Sequence, residues 1–177
     1  MKKQVKKIVI LIISAICLVG FDQWTKYLAT ATLKGTSGKE VIPNIFSFYY
    51  SENRGAAFGM LHGKQVFLMI TTMLILIGIL YLYMKVPTKK RYIPIHIICI
   101  TLVSGAIGNF IDRFLLGYVV DFLYFKLIDF PIFNVADCYV TISAACLVFF
   151  FLFYYKEDEL DFLFGKKEKK ESVTNDR

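Results

Sequence analysis

Two aspartates, Asp121 and Asp137, stand out because each lies in an otherwise apolar stretch of the sequence. Asp121 lies between YVV and FLYF, and Asp137 precedes an uncharged run, residues 138–155. Two carboxylates brought together in a partly dehydrated place do not both ionise readily, so such a pair holds one shared proton. One carboxylate can then activate a water while the protonated one polarises an amide carbonyl, which is the requirement of aspartyl hydrolysis.

A second group of polar residues is predicted to end an apolar helix. In SGAIGNFIDRF, Asn109, Asp112 and Arg113 are spaced i, i+3 and i+4 and therefore share one helix face. An ordinary salt bridge at a helix end is an alternative explanation for Asp112 and Arg113. Asn109 lies deeper in the apolar segment, where polar side chains are rare and functional, so we expect it to serve a site.

The segment FNVAD combines a helix-capping pattern with one of the two aspartates. Asn134 is a favourable N-cap residue, and Asp137 suits the positive N-terminus of the helix that follows. Capping is therefore an alternative role for both residues. It does not account for Asp121, which has no helix to cap.

Other chemistries fit this sequence poorly. There is no H-E-x-x-H motif, and none of the four cysteines has metal-ligand spacing, so neither a metal site nor a cofactor is predicted. Ser104 and Ser143 lie in apolar segments without a lysine at that depth to activate them. Asp22 and Lys26 stand at i and i+4, and we expect a local ion pair rather than a catalytic role.

Four apolar segments must position these groups. Hydrophobic residues make up 56% of the 177-residue chain, above the roughly 45–50% usual in soluble domains. The excess is concentrated in residues 8–21, 66–84, 93–111 and 138–155. The second segment is uncharged and, as a helix, about 28 Å long, which matches a hydrocarbon core of roughly 30 Å. The sequence therefore predicts an all-α membrane protein with a four-transmembrane-helix bundle.

The basic residues predict how this bundle is oriented. Lysine and arginine cluster before the first span, between the second and third spans, and after the fourth. The positive-inside rule places these regions and both termini in the cytoplasm, and residues 22–65 and 112–134 outside. The net charge of +7 is thereby explained by membrane flanks, and no nucleic-acid partner is predicted. Residues 1–155 are predicted to form the membrane domain, and 156–177 a charged cytoplasmic tail.

The first outer segment predicts a small β-structure. Phe46, Phe48 and Tyr50 alternate with Ser47 and Ser51, which is the period of a strand with one apolar face. We expect this β-subdomain, about residues 34–62, to lie on the membrane surface with its apolar face toward lipid or a lipid-like ligand. The candidate polar residues also fall on the outward side, so they can converge near the outer leaflet.

Five motifs carry a resemblance to a known family. In order, DQWTK (22–26), NRGAAFG (53–59), GAIGNFIDR (105–113), VVDF (119–122) and FNVAD (133–137) resemble the motif blocks of lipoprotein signal peptidase, the bacterial type II signal peptidase. The resemblance implies a metal-free aspartyl endopeptidase of the bacterial inner membrane that cleaves diacylglyceryl-modified prolipoproteins just before the lipid-bearing cysteine. It also implies a four-helix bundle with an outer β-cradle and a short outer helix. Membrane lipids and globomycin-type cyclic peptide inhibitors are implied partners.

The resemblance also implies roles for individual residues. Asp121 and Asp137 match the catalytic pair, and Asp22 with Lys26 matches a supportive motif. The positions that shape the site or hold substrate are matched by Asn53, Gly55, Asn109, Asp112, Arg113 and Asn134. The residues alone leave one alternative, a proton- or ion-coupled carrier in which the two aspartates form a relay. Broken spans in paired halves would favour a carrier, and this chain shows no repeat pairing.

Overall fold

The computed structural model describes residues 2–55 and 63–164 of the chain. Its helices are α1 (Lys2–Leu33), α2 (Gln65–Lys85), α3 (Ile93–Leu116), α4 (Val135–Phe153) and the short α5 (Asp161–Phe164). Its strands are β1 (Lys39–Ile42), β2 (Phe46–Asn53) and β3 (Val119–Phe125). Helices α1 to α4 are long and apolar enough to cross a membrane, which confirms the predicted four-helix bundle with a small sheet.

Helix α3 is the centre of the bundle and packs against α1, α2 and α4. Two glycines on it allow the neighbouring helices to approach closely. A Cβ atom on Gly105 would lie 2.6 Å from the carbonyl oxygen of Ala136 in α4. A Cβ atom on Gly108 would lie 2.5 Å from Oδ2 of Asp22 in α1. The absence of side chains at these two positions therefore sets the distance at which α1 and α4 pack on α3.

A buried ionic network joins these elements. Helix α1 continues beyond its apolar segment, as its sequence allowed, and carries Asp22 and Lys26 into the interior, where they are 0% and 3% exposed. The Nζ atom of Lys26 lies 2.9 Å from Oδ2 of Asp22 and 3.0 Å from Oδ2 of Asp112. The backbone N–H groups of Ala136 and Val120 donate to Asp22 and Asp112, respectively. The network thus connects α1, α3, α4 and β3.

The three strands form one antiparallel sheet in the order β1–β2–β3. Phe48 and Tyr50 of β2 pack against Ala29 and Leu33 at the end of α1 and against Phe122 of β3. The apolar face of β2 therefore contacts protein, which differs from the expected contact with lipid. The reason is the length of α1, which carries apolar side chains beneath the sheet.

The predicted β-subdomain and tail are described only in part. Residues 56–62 of the first and 165–177 of the second lie outside the described residues. Beside the sheet, the part of the chain that the structure describes holds one short helical element, the 3₁₀ turn Lys126–Ile128.

At the opposite end of the bundle, the chain after α4 folds back onto the membrane domain. Leu160 is buried in the same apolar cluster as Tyr155, and Glu159 forms an ion pair with Arg91, 2.8 Å between Nε and Oε1. Packing on the bundle therefore continues beyond residue 155.

We expect Gly108→Ala to destabilise the protein, because the new methyl group would strike a carboxylate that the buried network holds in place. Overpacking of this kind costs about 1–3 kcal/mol, and it should lower the midpoint of thermal unfolding in detergent. Gly78→Ala on α2 is the matched control, because nothing lies within 4 Å of its new Cβ atom. Since alanine is the better helix former by about 1 kcal/mol, the control should not lose stability. Equal midpoints for the two variants would contradict the packing argument.

Candidate active site

A tight reversal after α3 brings Asp121 into the interior. Gly117 ends the helix in the left-handed conformation, with φ of 76°, and its N–H donates to the carbonyl of Arg113 at 3.1 Å. Glycine adopts this conformation without a steric penalty. The chain then runs back as β3, where Asp121 is 2% exposed.

The segment between β3 and α4 places Asp137 beside Asp121. Phe133 pairs with Leu123 of β3 through two backbone hydrogen bonds of 2.8 and 3.0 Å, so the next residue, Asn134, lies against the strand. The Oδ1 atom of Asn134 accepts from the N–H of Asp137 at 2.9 Å, and Oδ2 of Asp137 accepts from the N–H of Asn134 at 3.1 Å. This is a capping box. The capping role is therefore present, and it holds Asp137 within the site.

Each carboxylate oxygen of the two aspartates accepts one hydrogen bond from the part of the chain that the structure describes. Oδ1 of Asp121 accepts from Nδ2 of Asn134 at 2.6 Å, and its Oδ2 accepts from Nδ2 of Asn53 at 2.9 Å. Oδ1 of Asp137 accepts from Nδ2 of Asn109 at 2.8 Å, and its Oδ2 is bound by the capping N–H described above. Because a carboxylate oxygen has two lone pairs, each retains one for water, substrate or a shared proton.

Burial dominates the electrostatics of Asp121. Desolvation of the carboxylate, together with the negative charge of Asp137, raises the pKa of Asp121 to about 7. The hydrogen bonds from Asn53 and Asn134 and the charge of Lys26 act in the opposite direction. Near neutral pH Asp121 therefore exists in both protonation states, as a shared-proton pair requires.

Both aspartates line a cavity of about 860 Å³. It extends from the end of β2 into the bundle along α3, between α2 and α4. The part within the bundle is lined by Thr72, Ile75, Gly105, Ala106, Val140 and Thr141. The acids therefore stand where the polar rim of the cavity meets its largely apolar interior.

Arg113 also lines this cavity, and it does not form the salt bridge offered as an alternative. Its Nη2 donates to the carbonyl of Gly55 at 3.2 Å, while its buried Nε has no hydrogen-bond partner among the described residues. The N–H of Gly55 in turn donates to Oδ1 of Asn53 at 2.9 Å. Asp112 pairs with Lys26 instead, because α1 lies against that side of α3.

The structure brings all of the sequence-predicted site residues together in two groups. Those that line the cavity are Asn53, Gly55, Asn109, Arg113, Asp121 and Asp137. Those that support them from behind are Asp22, Lys26, Asp112 and Asn134. Asp129 lies apart from them and accepts a hydrogen bond from the hydroxyl of Tyr124 at 2.6 Å. No group of histidine, cysteine and acidic side chains that could hold a metal ion occurs among the described residues.

Sequence reasoning missed one supporting residue, Gln23. Its Nε2 donates to Oδ1 of Asp112 at 2.8 Å and to the carbonyl of Gly108 at 3.2 Å. Its place beside Asp22, directly after the apolar segment 8–21, was the available signal.

Comparisons with known proteins place this chain in one family. Residues 14–153 match the family described as signal peptidase (SPase) II. The lipoprotein signal peptidases of Streptococcus thermophilus (strain CNRZ 1066) and Enterococcus faecalis (strain ATCC 700802 / V583) are 40% and 39% identical, over 77% and 82% of this chain and 88% of each relative. A solved bacterial membrane enzyme is 37% identical over 92% of this chain and 94% of its own, with a TM-score of 0.73. This multi-pass membrane protein therefore belongs to the signal peptidase II family.

Proposed function

We propose that this protein is an aspartyl endopeptidase that removes signal peptides from diacylglyceryl-modified prolipoproteins, cleaving before the lipid-bearing cysteine. Its similarity to lipoprotein signal peptidases supports the substrate class, and these relatives do not support the carrier alternative. One observation supports the catalytic type: Asp121 and Asp137 line one cavity, and each of their four oxygens has a single donor among the described residues.

In this proposal Asp121 holds the proton in the resting pair, since burial raises its pKa to about 7. Asp137 is the carboxylate, because it lies in the first turn of α4, where the helix dipole favours a negative charge. Asp137 removes a proton from a water as the water oxygen attacks the scissile carbonyl carbon. Asp121 donates its proton to the carbonyl oxygen, and a neutral gem-diol forms.

The roles then exchange. Asp137 gives its proton to the amide nitrogen as the C–N bond breaks, and Asp121 recovers a proton from a gem-diol hydroxyl. The products are the signal peptide with a new carboxyl group and the lipidated cysteine with a free amine. The shared proton thus returns to the pair, which is ready for another substrate.

The cavity and the charge distribution support an orientation for the substrate. The largely apolar walls between α2 and α4 suit the apolar core of a signal peptide, while the polar rim suits the scissile amide. We expect both termini in the cytoplasm and the acids near the outer leaflet, because the basic clusters flank the opposite end of the bundle. Surrounding membrane lipids can then present the diacylglyceryl group at that depth, and globomycin-type peptides should compete for the same cavity.

We predict that Asp121→Asn and Asp137→Asn each lower turnover by about 10²-fold or more, because general acid–base catalysis contributes that much. The assay is cleavage of a diacylglyceryl prolipoprotein by purified protein in lipid nanodiscs. Asp129→Asn is the matched control, since Asp129 lies off the cavity and its left-handed backbone, φ of 46°, tolerates asparagine. Normal turnover by either cavity variant, with the control also normal, would refute the aspartate pair.

We predict that turnover falls as the pH rises above about 7. Above its pKa of about 7, Asp121 loses the proton that polarises the carbonyl, and the pair carries two negative charges. The rate should then decrease about tenfold for each further pH unit, as measured by single-turnover cleavage. Thermal midpoints recorded at each pH separate this effect from unfolding, and a rate that stays flat from pH 6 to 9 in folded protein would contradict it.

A further inference from the structure

We propose that Lys26 is a positioning residue for the aspartate pair, acting through the side-chain amide of Asn109. Its ammonium group holds this amide so that the N–H group of Asn109 points at Asp137. The inference rests on the proposed peptidase function and assigns a specific task to a residue that does not line the cavity.

The need for a positioning group follows from the chemistry of asparagine. The two ends of its side-chain amide are almost the same shape, yet the oxygen only accepts and the NH₂ group only donates hydrogen bonds. If the amide of Asn109 were reversed, its oxygen would face Oδ1 of Asp137, which now lies 2.8 Å from Nδ2. Two acceptors at that distance repel each other, and the hydrogen bond to the catalytic carboxylate would be lost.

Two of the three asparagines at the site are oriented by the backbone. The oxygen of Asn134 accepts from the N–H of Asp137, and the oxygen of Asn53 accepts from the N–H of Gly55, both at 2.9 Å. A backbone N–H can only donate, so these amides cannot reverse without losing a bond. Asn109 differs, because the donors to its oxygen are both side chains.

Lys26 is the charged donor that holds Asn109 in this orientation. Its Nζ lies 3.0 Å from Oδ1 of Asn109, and an ammonium group never accepts a hydrogen bond. Its other two donors are directed at Asp22 and Asp112, 2.9 and 3.0 Å away. Three N–H groups thus meet three acceptors, and at 3% exposure the ammonium has little contact with solvent.

The amide of Asn109 is also hydrogen-bonded to the amide of Asn134, which the backbone orients. Oδ1 of Asn109 also accepts from Nδ2 of Asn134 at 3.1 Å. The same Nδ2 directs a hydrogen bond at Oδ1 of Asp121, 2.6 Å away. A donor-only group outside the cavity is therefore connected to both aspartates, through one amide to Asp137 and through two to Asp121.

The charge of Lys26 also reaches the pair. Among the described residues, the charged groups around this site are Lys26 and Asp22 on α1, Glu52 on β2 and Arg54 directly after it, Asp112 and Arg113 on α3, Asp121 on β3 and Asp137 on α4. Within this set, Lys26 lowers the pKa of Asp121 and so opposes the effect of burial. Removing the ammonium group should therefore shift the alkaline limb of the pH profile to higher pH.

The test is Lys26→Met in nanodiscs, assayed with a diacylglyceryl prolipoprotein. We expect kcat to fall about 100-fold, the effect of misplacing a catalytic group by about 1 Å. KM should stay near the wild-type value, because Lys26 does not line the cavity. The alkaline limb of kcat should move to higher pH, which a general loss of folded protein would not cause.

Lys7→Met is the matched control, because Lys7 is a second buried lysine on the same helix. It is 5% exposed, and its Nζ donates to the backbone carbonyls of Tyr83 and Val86 at the end of α2. Loss of this lysine should lower the thermal midpoint and leave kcat and the pH profile of the folded fraction unchanged. The same change of kcat and pH profile in both lysine variants would overturn the positioning role.

A second variant keeps the test decisive if Lys26→Met does not fold. In Lys26→Met/Asp112→Asn, Asp22 alone remains charged, so the network has a net charge of −1 as in the wild type. This double variant is compared with Asp112→Asn alone. Equal kcat and equal alkaline limbs in these two proteins would overturn the inference, and a further loss of kcat in the double variant would support it.

The outcome also separates this inference from the proposed function. If Asp121→Asn and Asp137→Asn lose turnover while the Lys26 variants behave like their controls, the aspartate pair stands and the positioning role fails. If the aspartate variants retain turnover, the proposed function itself fails, whatever the Lys26 variants do.

Discussion

The burial of one ammonium group between two carboxylates is the constraint on which the rest of this structure depends. Removing ions from water costs several kcal/mol each, and only good geometry with further hydrogen bonds offsets that cost. Lys26 meets this requirement only when Asp22, Asp112 and Asn109 surround it together. The distance and rotation of α1 relative to α3 are thereby defined. Backbone N–H groups of α4 and β3 also donate to Asp22 and Asp112, and these bonds hold both elements against the network.

The buried network also determines the geometry of the site. The two aspartates are held by asparagine residues, and two of these residues are hydrogen-bonded to the network. Two carboxylates repel when both are charged, so they need partners that keep them close. Here four N–H donors from three asparagine residues bind the four carboxylate oxygens, and the cavity leaves the remaining lone pairs accessible. Closely packed glycines in α3 let α1 and α4 approach near enough for this shell to form. The hydrogen bonds of the site therefore depend on the close packing of the helices.

Much of the fold was predictable because it depends on local patterns. Apolar length predicted the four helices, and the alternation at residues 46–51 predicted a strand. Capping, treated as an alternative role for Asn134 and Asp137, coexists with a place for Asp137 in the cavity, since the capping box is what positions Asp137. The salt bridge offered as an alternative role for Asp112 is present, and its partner is Lys26 from α1 rather than the adjacent Arg113, because neighbouring residues on one helix do not face each other. The contact between the apolar face of β2 and the end of α1 was not predicted either, because it joins residues that are far apart in the sequence.

The sequence by itself determined the spans, the membrane setting, the family and the residues of the site, because hydrophobic length and motif spacing are properties of short segments. Only the tertiary structure decided which donor faces which oxygen. In the sequence, the three asparagines Asn53, Asn109 and Asn134 cannot be told apart. In the structure, backbone N–H groups orient Asn53 and Asn134, and Lys26 from a distant part of the chain holds Asn109. A hydrogen-bond direction depends on atoms from several elements meeting within about 3 Å. The spacing of residues along one segment does not specify such contacts. Which amide donates to which aspartate oxygen could therefore be determined only from the folded structure.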